Sequence, residues 1–310
     1  MKNFLKLIIL SILMMSCTES LNNIEQYSIE TLMSNNRTSG GYFSKDANKL
    51  IYSSDKSGIF NIYEVDLKTN EEIQLTDSKE ESFFARGYSP TTGEVIYSAD
   101  KGGNENSHIY IIRDGKSIDL TPGKNTKASF FGWTKDELEM YVISNSRDPR
   151  FFDLYKINIK TLSSEMVFKN DRGYNINSIS NNDNYLVLSL NISRSEQKLF
   201  LFDFKRTQQI EISNQVANFS GQNFDKNDEN YFYTTNYDSE FYYLMSYNLK
   251  NGERSTVYKT NWDVAFSYLS KNNSYRVIAV NEDAQNKLTI KNMSDQSDLN
   301  LIGFENMNIN

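Results

Sequence analysis

The chain contains few residues of the types that carry out catalysis, because its 310 positions include one histidine and one cysteine. A Ser-His-Asp triad needs a base held between a nucleophile and an orienting acid, and His108 is the one histidine that could serve. His108 lies in the loop 102–108, where a loop or strand-edge histidine with no catalytic role is the alternative. The segment 87–91, Gly-Tyr-Ser-Pro-Thr, lacks the last glycine of a nucleophile elbow. The sequence therefore predicts no complete catalytic triad in this chain.

Cofactor and metal sites are equally absent from the sequence pattern. No group of His and Cys has the composition of a zinc site, and neither a phosphate-binding loop nor a dinucleotide-binding fingerprint occurs. The 40 Asp and Glu residues lie mostly in turn segments, where Asp bonds its own backbone, and a calcium site among them stays open. We expect no cofactor and no metal. The net charge of −7 argues against a nucleic-acid partner.

One polar segment, 144–155, combines two arginines with one of the three prolines of the chain. Arg147 and Arg150 are candidate substrate-binding residues, because a guanidinium binds a carboxylate such as a peptide C-terminus through two parallel hydrogen bonds. The alternative is a rigid loop in which an arginine pairs with Asp148 or Asp153. Both hypotheses place the segment between the second and third strands of one repeat.

The first 17 residues have the pattern of a secretion signal, with Lys2 and Lys6 ahead of a short apolar stretch. Residues 13–17, Leu-Met-Met-Ser-Cys, resemble a bacterial lipobox, although Met14 stands where Leu, Val or Ile is more usual. We expect Cys17 to be acylated and to anchor an exported protein to a membrane of the cell envelope, on the periplasmic face or at the outer membrane. An ordinary signal peptide with an incidental cysteine is the alternative. Residues 18–36 are then a tether and lead-in, with a short helix or an extra strand within 24–36.

The remainder of the chain repeats six times with a period of about 45 residues. Three features of each repeat recur at steps of 44 to 47 residues: a turn, the apolar strand after it, and the strand before the next turn. The turns are at Phe43-Ser44, Tyr88-Ser89, Trp133-Thr134, Ile179-Ser180, Phe224-Asp225 and Leu269-Ser270. A period of this length that contains only strand patterns is typical of propeller blades.

The first repeat indicates how one blade is built. Segments 41–43, 50–54, 60–67 and 73–75 read as four strands, with turn residues at 45–48 and 68–71. The sequence thus predicts an all-β fold: a β-propeller of six recognisable four-stranded blades over residues 37–303, followed by a tail at 304–310. An incomplete seven- or eight-bladed propeller stays open. Aromatic residues, 13% of the chain, are expected to fill the space between blades.

The repeat units at 42–55 and 62–67 resemble those shared by the Tol-system propellers and the propellers of the prolyl oligopeptidase family of serine peptidases. Further segments favour the peptidases. They are 57–63, 101–105, 130–133, 147–155, and 261–263 followed by 280–284. Over about residues 24–303, the set is similar to the N-terminal propeller of exported bacterial dipeptidyl- and acylaminoacyl-peptidase-like members.

This resemblance implies a propeller that covers the active site of a C-terminal α/β-hydrolase domain, admits short peptides and excludes folded proteins. The sequence departs from the family in having six recognisable blades instead of seven or more, and no segment matches the hydrolase domain. No catalytic residue is therefore assigned. One hypothesis is the non-catalytic, substrate-gating propeller of a lipid-anchored serine peptidase, whose partners are short peptides and the missing hydrolase domain. The other is a stand-alone propeller lipoprotein that binds a peptide or a protein partner.

Overall fold

Alternation of apolar and polar residues yields 23 β-strands and one short helix in the computed structural model, which describes residues 27–270 and 272–300. The chain divides into two units, 1–38 and 39–310. The first unit contains the helix α1 (Ile29–Met33), which begins where the Ser28 hydroxyl accepts a hydrogen bond from the Thr31 N–H at 3.1 Å. A short helix was one of the two forms predicted within 24–36. The predicted signal peptide and tail lie outside the described residues.

The strand bounds follow the predicted repeat closely. They are β1 (Thr38–Phe43), β2 (Lys49–Ser54), β3 (Asn61–Asp66), β4 (Glu72–Gln74), β5 (Phe83–Tyr88), β6 (Val95–Ala99), β7 (His108–Arg113), β8 (Lys116–Asp119), β9 (Ala128–Trp133), β10 (Glu139–Asp148), β11 (Phe151–Asn158), β12 (Ser164–Phe168), β13 (Asn175–Ile179), β14 (Tyr185–Asn191), β15 (Gln197–Asp203), β16 (Gln208–Glu211), β17 (Phe219–Phe224), β18 (Asn230–Thr235), β19 (Tyr243–Asn248), β20 (Arg254–Tyr258), β21 (Asp263–Leu269), β22 (Tyr275–Glu282) and β23 (Gln285–Asn292).

These strands form six antiparallel sheets, one from each predicted repeat. Five sheets have four strands in chain order, and the sixth contains β21, β22 and β23. A fourth segment begins beside β23, because the Leu299 N–H donates to the Ile290 carbonyl at 2.7 Å. The fourth strand predicted at about 299–303 lies mostly outside the described residues. The prediction of an all-β, six-bladed propeller is confirmed.

Burial within each sheet follows the order of its strands. All five residues of β6 and five of the six in β18 are buried, whereas every residue of the fourth strands β4 and β16 is exposed. The first strand β17 contacts both β13 and β21, which are the first strands of the sheets on either side of it. The first strands therefore lie on the inner side of the sheets, and the fourth strands face solvent.

Five buried clusters hold the sheets together, and each cluster joins two consecutive sheets. Paired representatives of the clusters are Ile51 with Tyr97, Ile111 with Val142, Tyr141 with Leu188, Leu201 with Tyr233, and Phe232 with Ile278. Complete burial of such a side chain contributes about 1.5–3 kcal/mol. Within residues 39–270 and 272–300, no buried cluster joins the sixth sheet to the first.

A recurrent polar turn connects the first and second strands of the sheets. In the first sheet, the Ser44 hydroxyl donates to the Asp46 carboxylate at 2.6 Å and accepts from the Lys49 N–H at 3.0 Å. Thr134, Ser180 and Ser270 make the corresponding side-chain bond to the residue two positions later. Side-chain bonds of this kind replace the backbone bonds of a turn, which explains how the chain forms these hairpins with little glycine or proline.

Candidate functional site

Several cavities lie at one end of the sheets, which we call the cavity end. At this end the first strand of each sheet begins, the second ends and the third begins. A cavity of about 160 Å³ lies between the second and third sheets, and one of about 290 Å³ lies between the third and fourth. A wider one of about 490 Å³ lies between the fourth and fifth sheets. The hairpins between second and third strands therefore form the rims of these cavities.

Arg147, one of the two predicted site residues, lies behind the residues that line the 290 Å³ cavity. It is the next-to-last residue of β10 and binds the Asp153 carboxylate through two parallel hydrogen bonds, Nε to Oδ2 at 2.7 Å and Nη2 to Oδ1 at 2.9 Å. Asp153 is fully buried, and Asp171 adds a second ion pair at 3.3 Å. The hydrogen-bonded Asp153 carboxylate raises the pKa of the Arg147 guanidinium above its ordinary value. The alternative predicted for this arginine, a pair with Asp153, is what the structure contains.

The same carboxylate ties the hairpin to the loop that leads into the fourth sheet. Asp153 Oδ1 accepts the Asn170 N–H at 2.7 Å, and the Asn170 side chain donates to the carbonyl oxygens of Phe152 and Tyr174 at 3.0 and 2.7 Å. The Tyr174 N–H returns a bond to Asn170 Oδ1 at 3.0 Å. Because Phe152, Asn170 and Tyr174 all line the 290 Å³ cavity, this network fixes its shape.

Arg150 lies at the tip of the hairpin and lines the 290 Å³ cavity. Its side chain is 76% exposed and pairs with Asp148 through Nη2 to Oδ2 at 2.7 Å and Nε to Oδ1 at 3.0 Å. The hydrogen bonds from Arg150 lower the pKa of the Asp148 carboxyl well below its usual range. The two predicted site residues thus lie in one hairpin, with Arg150 at a cavity and Arg147 behind it. Substrate binding by either residue stays a prediction.

Two cations at the neighbouring 160 Å³ cavity were missed by the sequence reasoning. Arg86 on β5 and Lys127 just before β9 line this cavity, and Phe152 lines both this cavity and the 290 Å³ cavity. They come from different repeats, 41 positions apart in the sequence, and no motif links them. The signal that could have found Arg86 is its position in the first strand, where the corresponding residue of the next repeat is Phe131.

His108 does not form part of a triad among the described residues. Its Nδ1 lies 2.7 Å from Asp119 Oδ2, and its ring stacks near Tyr110 at 6.3 Å. No serine hydroxyl bonds to this ring in the described part of the chain. Within residues 27–270 and 272–300, no group of three or more His, Cys, Asp or Glu side chains has the arrangement of a metal site.

Cys17, the predicted site of lipidation, lies outside the described residues, so its acylation stays a prediction. In the part of the chain that the structure describes, no helix has the length and apolar character needed to cross a membrane.

Solved structures with the same architecture include enzymes of different kinds. A prolyl endopeptidase is similar with a TM-score of 0.67 and 12% identity, over 86% of this chain and 43% of that one. An oligogalacturonate lyase solved with manganese is similar with a TM-score of 0.62 and 14% identity, over 83% of this chain and 74% of that one. TolB from Acinetobacter baumannii gives a TM-score of 0.46 and 16% identity, over 84% of this chain and 53% of that one. At these identities the likeness to the endopeptidase and the lyase concerns the fold alone.

The chain spans less than half the length of the prolyl endopeptidase that it matches. No curated protein matches the sequence. The family model described as the prolyl oligopeptidase N-terminal β-propeller domain matches residues 76–307, which include the hairpin of Arg147 and Arg150 and most of the predicted propeller. The chain belongs to the prolyl oligopeptidase family, through its N-terminal β-propeller domain.

Proposed function

We propose that this propeller is the substrate-gating part of a lipid-anchored serine peptidase that acts on short peptides, with the catalytic residues outside this chain. The observation that carries the proposal is the set of cavities at the cavity end, lined by both polar and apolar side chains, in a propeller of a peptidase family. Their volumes, about 160 to 490 Å³, suit single residues or short peptides and are too small for a folded domain.

The walls of these cavities offer what an extended peptide needs. The exposed guanidinium of Arg150 supplies side-chain donors beside the 290 Å³ cavity, and Phe152 supplies an aromatic surface. The network around buried Asp153 holds this surface rigid, which lowers the entropy that peptide binding must overcome. The chain's own role in the proposal is to bind and admit peptides, and no bond-breaking step is assigned to its residues.

A titration with blocked peptides tests the gating role. Acetylated and amidated peptides of three to six residues are titrated into the purified chain by calorimetry, so that no terminal charge contributes. We expect binding, and we expect Asn175→Trp, whose indole would fill the 290 Å³ cavity, to weaken it at least about tenfold. Gln208→Trp, on the exposed outer strand of the same sheet, is the matched control and should bind as the unmodified chain does. Absence of binding, or binding unaffected by Asn175→Trp, would contradict the proposal.

The lipid anchor is tested separately. In a bacterial host, radiolabelled palmitate should be incorporated into the unmodified chain and not into Cys17→Ser, which should also leave the membrane fraction. Equal labelling of both chains, or none in either, would reject acylation at Cys17 and leave the gating proposal unaffected.

A further inference from the structure

The position of Arg86 is set by a β-bulge in the first strand of the second sheet. Ala85 pairs with Tyr97 and Gly87 pairs with Ile96, so Arg86 has no partner on β6. The first strands of the third and fourth sheets skip Phe131 and Asn177 in the same way. A bulge turns the extra residue away from the regular alternation of the strand and is frequent beside binding sites. In the second sheet, the bulged residue is the cationic Arg86.

The guanidinium of Arg86 makes a hydrogen bond through its Nε, and its other N–H groups have no acceptor among the described residues. Its Nε donates to the hydroxyl of Ser98 at 2.9 Å, and Ser98 is buried on the adjacent strand. Arginine has five N–H donors, and the remaining four have no protein acceptor among the described residues. No carboxylate of the described chain lies within 4.0 Å of this cation.

Lys127 supplies the second cation of the cavity. Its backbone is fixed by Asn145, whose Oδ1 accepts the Lys127 N–H at 2.7 Å. Its ammonium group makes no hydrogen bond or ion pair with any described residue. The other lining residues are Ser98, Ser107, Ser129, Ala128 and Phe152, so the described lining contains three hydroxyl groups and no carboxylate.

We propose that the 160 Å³ cavity binds the C-terminal carboxylate of a short peptide, between the guanidinium of Arg86 and the ammonium group of Lys127. Two unpaired cations and several hydroxyl donors match a carboxylate's acceptor-only chemistry. An apolar cavity of about 150 Å³ holds a molecule of the size of benzene, so this one has room for a terminal residue and no further chain. The residue before it would extend across Phe152 toward the 290 Å³ cavity. This inference rests on the proposed function and adds the terminus that the propeller selects.

The test compares two tripeptides that differ at one end. Acetyl-Gly-Phe-Ala with a free carboxylate and the same peptide as its amide are titrated into the full chain by calorimetry at low salt. We expect the acid to bind at least about tenfold more tightly, which is the effect of one charge-assisted hydrogen bond at a site of this kind. Arg86→Gln and Lys127→Gln should each remove most of that preference. Lys116→Gln, on an exposed outer strand, makes the same charge change and should retain it.

Each outcome decides between the two proposals. If acid and amide bind equally, the carboxylate site is wrong and the gating proposal stands. If neither peptide binds, both are wrong. Should Arg86→Gln fail to fold, Lys127→Gln still decides, because its exposed side chain makes no contact that folding requires. Inorganic phosphate is the final arm. The inference is overturned if phosphate binds to the unmodified chain and not to Lys127→Gln, while the acid binds no more tightly than the amide. The cavity is then a phosphate site.

Discussion

Asp153 is a fully buried carboxylate whose two oxygens bind Arg147 and the Asn170 backbone. Removal of its charge leaves the Arg147 guanidinium without its principal partner, and breaking such a pair costs about 3–5 kcal/mol. We expect Asp153→Asn to lower the free energy of unfolding by about 3 kcal/mol, measured by urea denaturation. Because the network shapes the 290 Å³ cavity, the variant should also lose affinity for blocked peptides.

The matched control is Asp148→Asn in the same hairpin. Asp148 pairs with Arg150, whose side chain is mostly exposed, and exposed pairs contribute about 0–1 kcal/mol. Its free energy of unfolding should therefore stay within about 1 kcal/mol of the unmodified chain. Equal losses of unfolding free energy in the two variants would show that the burial of Asp153 does not determine how much its ion pair stabilises the fold.

Asp46 provides a prediction about pH. The hydroxyl of Ser44, followed by the backbone and side chain of Asn48, lowers the pKa of the Asp46 carboxyl from 3.8 to about 2. A lowered folded-state pKa means that the charged form stabilises the fold above about pH 4, and that this contribution disappears as the pH falls toward 2. Its carboxyl carbon should titrate in this range by NMR. Asp46→Asn, which copies the Asn182 of the fourth repeat, should keep the turn and remove this part of the pH dependence of unfolding.

At the residue scale, the sequence predicted the ion-pair partners of the arginines better than it predicted the residues of the candidate site. The pairs of Arg147 and Arg150 with nearby carboxylates follow from short separations along the chain. Arg86 and Lys127 could not be found in that way, because a bulge is a property of the register between two strands. A single sequence contains the apolar alternation of each strand and does not contain the skipped pairing at Arg86.

At the scale of elements, the turns between first and second strands use residues with a positive φ angle. Ala47 has φ 55° in the first sheet, where an L-residue with a Cβ is strained by about 1–2 kcal/mol. We expect Ala47→Gly to raise the free energy of unfolding by about 0.5–1 kcal/mol, after the larger backbone entropy of glycine in the unfolded chain is subtracted. Chemical denaturation measures this difference.

Asn273 occupies the corresponding turn of the sixth sheet with φ 59°. Asparagine tolerates this conformation, so Asn273→Gly should change stability much less than Ala47→Gly does. A gain of the same size in both variants would mean that glycine acts on the unfolded chain or on the neighbouring strands, and not by relief of strain at Ala47.

The strands were predictable because the same packing requirement recurs in every sheet. Each sheet must cover both faces, so apolar residues recur in its second and third strands at the same place in every repeat, and the strands predicted at 50–54 and 60–67 match β2 and β3 closely. No comparable pattern in the sequence indicates which cavities form between the sheets. Cavity walls combine residues such as Phe152 and Asn175 from different repeats, and their approach depends on packing that periodicity does not encode.

At the scale of the whole molecule, the sheets differ in how many of their faces the five buried clusters cover. The fourth sheet is covered on both faces, since Leu186 and Leu188 pack toward the third sheet and Val187 toward the fifth. The sixth sheet shares one cluster, through Ile278 and Val280 with the fifth sheet. Structures built from consecutive units are stabilised by nearest-neighbour interfaces, so a sheet with one such interface opens more readily than a sheet with two.

Amide hydrogen exchange measures this inequality directly. The strands β14 in the fourth sheet and β22 in the sixth are matched, because each is a second strand with hydrogen-bonded neighbours on both sides. The opposite face of the sixth sheet carries Phe266 stacked on Tyr268, and Tyr268 is 51% exposed. We expect amides of residues 275–282 to exchange at least about tenfold faster than those of 185–191, a difference in opening free energy of about 1.4 kcal/mol. Equal protection of the two strands would mean that this face is covered in solution, and that the sixth sheet is no less stable than the fourth.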